Sequence, residues 1–100
     1  MQTYDGSKIT SPEQLAGYSQ AAGDRTILIE GDNFSAWDFT GVKLSNICFV
    51  ESDLSQSVWT RMTASGLGFI KSNVEAANMS GVKMQDILIR SSVFARVDAT

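Results

Sequence analysis

Every fifth residue between positions 34 and 94 is apolar, and this period limits what the chain can fold into. The thirteen positions are Phe34, Phe39, Leu44, Phe49, Leu54, Trp59, Ala64, Phe69, Val74, Met79, Met84, Ile89 and Phe94. A helix repeats every 3.6 residues and a strand every two, so neither keeps a five-residue series on one side. A chain that turns a corner every five residues keeps these side chains inside. The period therefore predicts a solenoid with five residues to a side.

The residues around these centres follow a weaker pattern. The residue two places before the centre is mostly apolar or small, and the residue after the centre is Ser or Thr in seven of the thirteen words. Segments 52–56 (SDLSQ) and 77–81 (ANMSG) show the whole pattern. We therefore expect two inward side chains in each five-residue word, with the other positions facing water.

These words resemble the repeat of the pentapeptide-repeat family. The resemblance covers the chain from near Asp32 to Thr100, and it implies an all-β fold, a right-handed quadrilateral β-helix with twenty residues in each of about 3.5 coils. Neighbouring coils would lie roughly 4.8 Å apart, the usual distance between paired strands. The similar words GVKLSN (41–46) and GVKMQD (81–86) are forty residues apart. They should therefore stand two coils apart on the same side.

The first 31 residues lack the period and predict a cap for the solenoid. Ser11 is a suitable N-cap, Pro12 suits the first helical position, and Gln14 is placed for a capping box. A helix of about ten residues would end before Gly23, and residues 26–30 (TILIE) read as a strand that enters the first coil. We therefore expect one compact domain, with a capping helix and strand over residues 1–31 and a β-helix over residues 32–100.

The chain has no histidine and one cysteine, Cys48. Catalysis by Ser-His-Asp or Cys-His groups is therefore excluded, and a metal site is not expected. Glu51 and Asp53 could be drawn as a general acid and base, but two exposed carboxylates in a repeat need no catalytic explanation. We expect a protein that is not an enzyme and uses neither a metal nor a cofactor. The sequence shows no membrane span and no signal peptide, which favours the cytoplasm of a bacterial host cell.

The twenty-residue coil assigns each residue to one of four faces. In the first coil these are face one (32–36), face two (37–41), face three (42–46) and face four (47–51), and later coils repeat the order. The carboxylates that flank the corner between faces four and one are Glu30, Asp32, Glu51 and Asp53, with Glu75 one coil later. We call these five residues the acidic stripe. They are either ordinary solvated surface or a surface that binds a partner.

The resemblance also implies a function, because some pentapeptide-repeat proteins imitate duplex DNA and occupy a DNA-binding protein. The net charge of -3 argues against direct binding to nucleic acid. We expect a DNA-mimicking inhibitor of a DNA-binding protein or complex, in first place a small phage-encoded protein of the anti-CRISPR type that blocks a CRISPR surveillance complex. The alternative function that the same family resemblance implies is protection of DNA gyrase.

Face four offers a second surface. Its outward positions, where polar residues are usual, hold Cys48, Val50, Ile70 and Leu88. We call this set the apolar ridge. Either the capping helix covers the ridge or the ridge binds another protein, as in an adaptor or a secreted effector module. No polar element closes the last coil after Val97, which favours either a second copy stacked on this end or a larger parent protein. Of the two we expect a homodimer through the C-terminal coil.

Overall fold

A four-sided parallel β-solenoid forms the body of the computed structural model, which describes residues 2–97. The elements in chain order are β1 (Gln2–Asp5), a 3-10 helix (Gly6–Lys8), α1 (Pro12–Ala22), β2 (Ile27–Asn33), β3 (Lys43–Ser45), β4 (Ile47–Asp53), β5 (Thr63–Ser65), β6 (Gly68–Ile70), β7 (Lys83–Gln85) and β8 (Leu88–Arg90). Most strands are short because the chain turns a corner after each side. No helix in the described range is long and apolar enough to cross a membrane.

Two parallel sheets run along the solenoid. One has five strands in the order β1-β2-β4-β6-β8, and the other has three in the order β3-β5-β7. Partners within the coils are twenty residues apart, as Phe49 and Phe69 are on face four. Faces one and two contribute single parallel bridges at the same spacing, such as the bridge between Asp53 and Asn73. The predicted coil of twenty residues is therefore confirmed on all four sides.

The centres of the repeat form the core. The ten centres from Phe34 to Met79 are each at most 8% exposed. Aromatic rings meet between coils, and the centroids of Phe49 and Phe69 are 5.8 Å apart in a stacked pair. In the last coil the centre Ile89 is 51% exposed, because within the described residues no further coil lies over it. The core is thus one column of side chains, and within the described residues its last coil is the least covered.

Each corner of the solenoid is made by a residue with positive φ. These residues recur at every fifth position from Gly31 to Arg96, with φ between 51° and 76°. Ten of them are not glycine, so the fold accepts a cost of about 1 kcal/mol or more for each L-residue in this region. None of the ten is β-branched, which agrees with the greater strain of branched side chains at positive φ. At the corner formed by Ala36 the N–H of Trp37 donates to the carbonyl of Phe34 at 3.1 Å. This is the bond of a type II turn, which requires positive φ at its third residue.

Trp59, the largest side chain in the core, occupies a centre of the repeat and has its own buried hydrogen-bond partner. Its indole N–H donates to the hydroxyl of Ser57 at 2.5 Å, and that hydroxyl donates to the carbonyl of Leu54 at 2.6 Å. Trp59 and Ser57 are both fully buried. A polar atom inside a core must be paired, so Ser57 allows tryptophan to occupy a centre of the repeat.

Helix α1 begins and ends where the sequence predicted. The hydroxyl of Ser11 accepts the N–H of Gln14 at 3.1 Å, Pro12 is the first helical residue, and Gly23 follows the helix with a φ of 65°. The side chain of Gln14 reaches back to accept the N–H of Thr10 at 2.6 Å. These contacts satisfy backbone donors that a helix N-terminus otherwise leaves unpaired.

Helix α1 lies where a strand of an earlier coil would pair with β3. Ser19 is 2% exposed, and its hydroxyl accepts the N–H of Ser45 at 2.8 Å and donates to the carbonyl of Ser45 at 2.8 Å. One side chain therefore replaces the missing strand partner, while Leu15 is fully buried in the core. The helix packs against face three, which differs from the alternative in which it covers the apolar ridge on face four.

Strand β1 was not predicted from the sequence. It pairs in parallel with β2, with Gln2 opposite Ile27 and Asp5 opposite Glu30. These partners are 25 residues apart, so the strand lies outside the twenty-residue period that identified the coils. It adds one strand to the five-stranded sheet at the N-terminal end.

Replacement of Ser57 by alanine should destabilise the protein by about 1–3 kcal/mol, because it leaves the buried indole N–H of Trp59 unpaired. The matched control is the same replacement in a Trp59→Phe background, where no indole N–H remains. Urea unfolding of the wild type, the two single variants and the double variant measures the cost of Ser57→Ala in each background. An equal cost of Ser57→Ala in the two backgrounds would show that the hydrogen bond to Trp59 contributes nothing.

The positive φ of the corner residues predicts that Ala36→Gly and Gly41→Ala change the stability of the protein in opposite directions. Ala36→Gly should stabilise the protein by up to about 1 kcal/mol, because relief of the left-handed strain outweighs the added freedom of the unfolded chain. Gly41→Ala should destabilise it by about the same amount. Both sites are exposed corners, with φ of 63° and 72°, and a Cβ at Gly41 would contact nothing within 4 Å. Thermal unfolding with the same sign for both variants would contradict this account.

Candidate interaction surface

Four residues of the predicted acidic stripe lie together on neighbouring strands. Glu30 and Asp32 belong to β2, and Glu51 and Asp53 belong to β4. The two strands pair in parallel, with Asp32 opposite Ser52. Glu30, Asp32 and Glu51 are exposed, and Asp53 is half-buried. The corner between faces four and one therefore presents four carboxylates in two consecutive coils.

The fifth residue of the stripe, Glu75, is set apart from the others. Its carboxylate forms an ion pair with Arg96, so its charge is partly neutralised. Lys71 occupies the corner position one coil after Glu51, and both residues have left-handed φ, 51° and 53°. In the next coil a lysine thus occupies the corner position that Glu51 holds, and the acidic surface described below does not include Glu75.

Asp5 belongs to this surface although the sequence did not predict it. It lies opposite Glu30 at the end of β1. Its carboxylate accepts the hydroxyl of Ser7 at 2.7 Å and the backbone N–H of Ser7 at 2.9 Å. These hydrogen bonds lower the pKa of Asp5 below its ordinary value, so the side chain is ionised at neutral pH. We call Asp5, Glu30, Asp32, Glu51 and Asp53 the acidic surface.

Charge is also separated along the chain. Residues 1–51 contain seven acids and three bases, a net charge of -4, whereas residues 52–100 contain four acids and five bases, a net charge of +1. Because each coil stacks on the one before it, position along the chain is position along the solenoid. The N-terminal half is therefore acidic and the C-terminal half basic.

The apolar ridge on face four is less exposed than the sequence suggested. Cys48 is only 8% exposed, and its sulfur lies 3.0 Å from the place where a Cβ on Gly68 would be. Burial raises the pKa of its thiol. Val50 and Ile70 are half-buried. The expectation that Cys48 faces solvent is therefore wrong, because its side chain fills the space left by a glycine in the next coil.

Leu88, the last residue of the ridge, lies with other apolar side chains of the last coil. It is 45% exposed, beside Ile89 at 51% and Val93 at 48%. Met84 and Phe94, which are half-buried, complete the end of the core. We call these five residues the C-terminal patch.

A concave site lies between α1 and face three. Its volume is about 620 Å³, and its lining combines small helix residues such as Ala16 and Gly17 with segment 41–43 and Ser45. The titratable side chains in the lining are Glu13 and Lys43. A shallower site of about 470 Å³ is lined in part by Glu51, Asp53 and Lys71. Neither lining contains a nucleophile paired with a base of the kind that hydrolases use.

Residues 2–97 contain no group of three or more His, Cys, Asp or Glu side chains placed to hold a metal ion. Glu51 and Asp53, the carboxylate pair that the sequence analysis considered as an acid and a base, lie on one strand, where Glu51 is exposed and Asp53 is half-buried.

The five-residue corners, the four faces and the twenty-residue register together define the architecture. The chain folds as a pentapeptide-repeat β-helix. No protein-family model and no curated protein sequence matches it. A similar solved structure is the pentapeptide repeat protein Rfr23 from the cyanobacterium Cyanothece 51142, with 16% sequence identity and a TM-score of 0.31. The similarity covers 74% of this chain and 61% of that one, so the β-helix described here spans less than two thirds of the similar protein.

The contact between Cys48 and Gly68 predicts a compensating pair of substitutions. Gly68→Ala should destabilise the β-helix by about 1–3 kcal/mol, because its Cβ would overlap the sulfur of Cys48. In a Cys48→Ala background the same substitution should cost less than half as much. Urea unfolding of the single and double variants measures the difference. Additive costs in the double variant would show that the two side chains do not share this space.

Proposed function

We propose that this protein is a non-enzymatic binding protein that imitates duplex DNA with its acidic surface and thereby inhibits a DNA-binding partner. The observation that carries the proposal is the placement of five carboxylates on three neighbouring strands, β1, β2 and β4, of one sheet. The fold supports a binding role because it offers a rigid surface on which side-chain positions are fixed by the strand register.

The charge spacing of the acidic surface is close to that of DNA. Three neighbouring strands span roughly 10 Å along the solenoid, which gives about one carboxylate per 2 Å. Duplex DNA carries about one phosphate charge per 1.7 Å of its axis. A protein that binds phosphates through Lys and Arg would therefore meet a similar charge density over about three base pairs.

The carboxylates are available for such a contact. Within residues 2–97, the structure records no hydrogen bond or ion pair of the side chains of Glu30, Asp32 and Glu51. The separation of charge along the solenoid favours approach of a basic surface to the acidic half. Association driven in this way weakens as salt concentration rises.

Two classes of DNA-binding partner follow from the proposal. The first is a CRISPR surveillance complex, which holds nucleic acid in a positively charged channel. The second is DNA gyrase. The burial of Cys48 interrupts the apolar ridge, so the structure gives less support to an adaptor that binds through this ridge.

The test measures inhibition of DNA binding by a purified surveillance complex and by purified gyrase. The wild type should inhibit one of them, and the triple variant Glu30→Lys, Asp32→Lys, Glu51→Lys should lose at least about tenfold in apparent affinity for it. The variant should fold normally because these residues are exposed, which circular dichroism checks.

The matched control is Glu13→Lys, Asp24→Lys, Asp86→Lys, which changes net charge equally at exposed positions outside the acidic surface. It should keep most of the inhibition. Equal loss in both variants would mean that net charge alone acts and would overturn the role of this surface. If the wild type inhibits neither partner, capture from a bacterial lysate should give a DNA-binding protein that duplex DNA releases. Capture that duplex DNA leaves unchanged would contradict mimicry.

A further inference from the structure

Strand β3 has an open edge on the side that faces α1. The order of its sheet is β3-β5-β7, so β3 pairs with β5 only. The carbonyl of Val42 accepts the N–H of Thr63 on β5 at 3.1 Å. Because successive residues of a strand direct their backbone groups to opposite sides, the backbone groups of Lys43 and Ser45 point away from β5.

The two residues on this open side differ in their hydrogen bonds. The hydroxyl of Ser19 pairs with both backbone groups of Ser45, at 2.8 Å each. For the backbone N–H and carbonyl of Lys43, the structure of residues 2–97 records no protein partner. One turn before Ser19 the helix carries Leu15 and Ala16, whose side chains have no polar atom. Helix α1 therefore satisfies one residue of the edge and leaves the other open.

The open groups of Lys43 lie at the concave site between α1 and face three, which we call the groove. Its volume of about 620 Å³ lies within the usual range of ligand sites. Gly17 on α1 and Gly41 before β3 both line the groove, and a Cβ on either would meet no atom within 4 Å. The groove therefore has room for an added chain beside Lys43.

The groove also carries one charge of each sign. Its titratable side chains are Glu13 on α1 and Lys43 on β3, both of them exposed. Within the described residues neither forms an ion pair. Opposite charges on facing strands stabilise a strand pair, and a lysine on an edge strand disfavours an apolar partner. The groove therefore favours a ligand with an acidic group opposite Lys43 and a basic group for Glu13.

We propose that an extended segment of a partner protein binds in the groove and adds a strand to β3. One residue of the segment exchanges both backbone hydrogen bonds with Lys43, as in an antiparallel ladder. Strand addition takes affinity from such main-chain bonds and specificity from alternate side chains. The residue opposite Lys43 is acidic, and the residues two positions before and after it, on the same face, are basic and available to Glu13.

The charge pattern points to a different protein and not to a second copy of this chain. No acidic residue of the sequence has a basic residue two positions away on both sides. The groove lies on face three, apart from the acidic surface at the corner of faces four and one. This binding site is therefore independent of the proposed DNA mimicry.

Amide hydrogen exchange of the full chain, measured by NMR, tests the open edge. The N–H of Lys43 should exchange at least about a hundredfold faster than the hydrogen-bonded N–H groups of Ser45 and Asn46. Equal protection of the three would show that Lys43 already has a partner and would overturn the proposal. Protection of Lys43 that appears as the protein alone is concentrated would assign the edge to a second copy instead.

A capped peptide, acetyl-TKTETKT-amide, is the probe for binding, because it has the expected charges and strand-forming threonines. Titration should shift the amide signal of Lys43 and slow its exchange, with half-saturation at or below about 1 mM. The control peptide has an N-methyl group on the central glutamate nitrogen, which removes one main-chain donor and keeps every charge. It should bind at least about tenfold more weakly. Equal binding of the two peptides, or no binding of the first, would overturn strand addition.

Two substitutions of Gly17 test the location. Gly17→Gln places a long neutral side chain in the groove, whereas Gly17→Ala adds a single carbon. Both replace an exposed glycine of α1 by a better helix former, so both variants should be at least as stable as the wild type. Gly17→Gln should weaken peptide binding at least about tenfold, and Gly17→Ala should bind like the wild type. Normal binding by a folded Gly17→Gln variant, checked by circular dichroism, would exclude the groove. Neither substitution changes the acidic surface, so both variants should keep any inhibition of DNA binding that the wild type shows.

Discussion

Backbone hydrogen bonds between successive coils depend on the left-handed residue at each corner. The N–H of Ala36 donates to the carbonyl of Ser55 at 2.9 Å, and that of Gln56 donates to the carbonyl of Glu75 at 2.8 Å. One residue thus turns the chain and links it to the next coil. Because the backbone performs both tasks, the corner side chain is free to vary, and Glu51 can carry a charge that the proposed binding role requires.

The coil, the faces and the core were predictable because all three follow from one period. The two GVK words lie on face three as expected, with Lys43 opposite Thr63 and Thr63 opposite Lys83. The burial of Cys48 was not predictable from its own word, since it depends on the absence of a side chain at Gly68. Comparison of Cys48 with Gly68, the residue at the same position in the next coil, would have predicted this burial.

The acidic surface was partly predictable for the same reason. Sorting residues at intervals of twenty reproduces the strand register, so Asp32 and Asp53 were placed on the correct corner. Asp5 was missed because β1 pairs at a different interval. The separation of charge between the two halves was also not predicted, because sorting residues onto four faces compares positions around the solenoid axis and not positions along it.

The replacement of a strand by α1 has a consequence for how the chain folds. Each coil needs only the coil before it as a template, and the first coil has the cap, through Ser19 and its bonds to Ser45. Strand contacts in the β-helix therefore join positions about twenty residues apart, in neighbouring coils, which favours growth of one coil on another from a stable start. During synthesis the cap leaves the ribosome before the coils, so the order of translation is the order in which the coils can form.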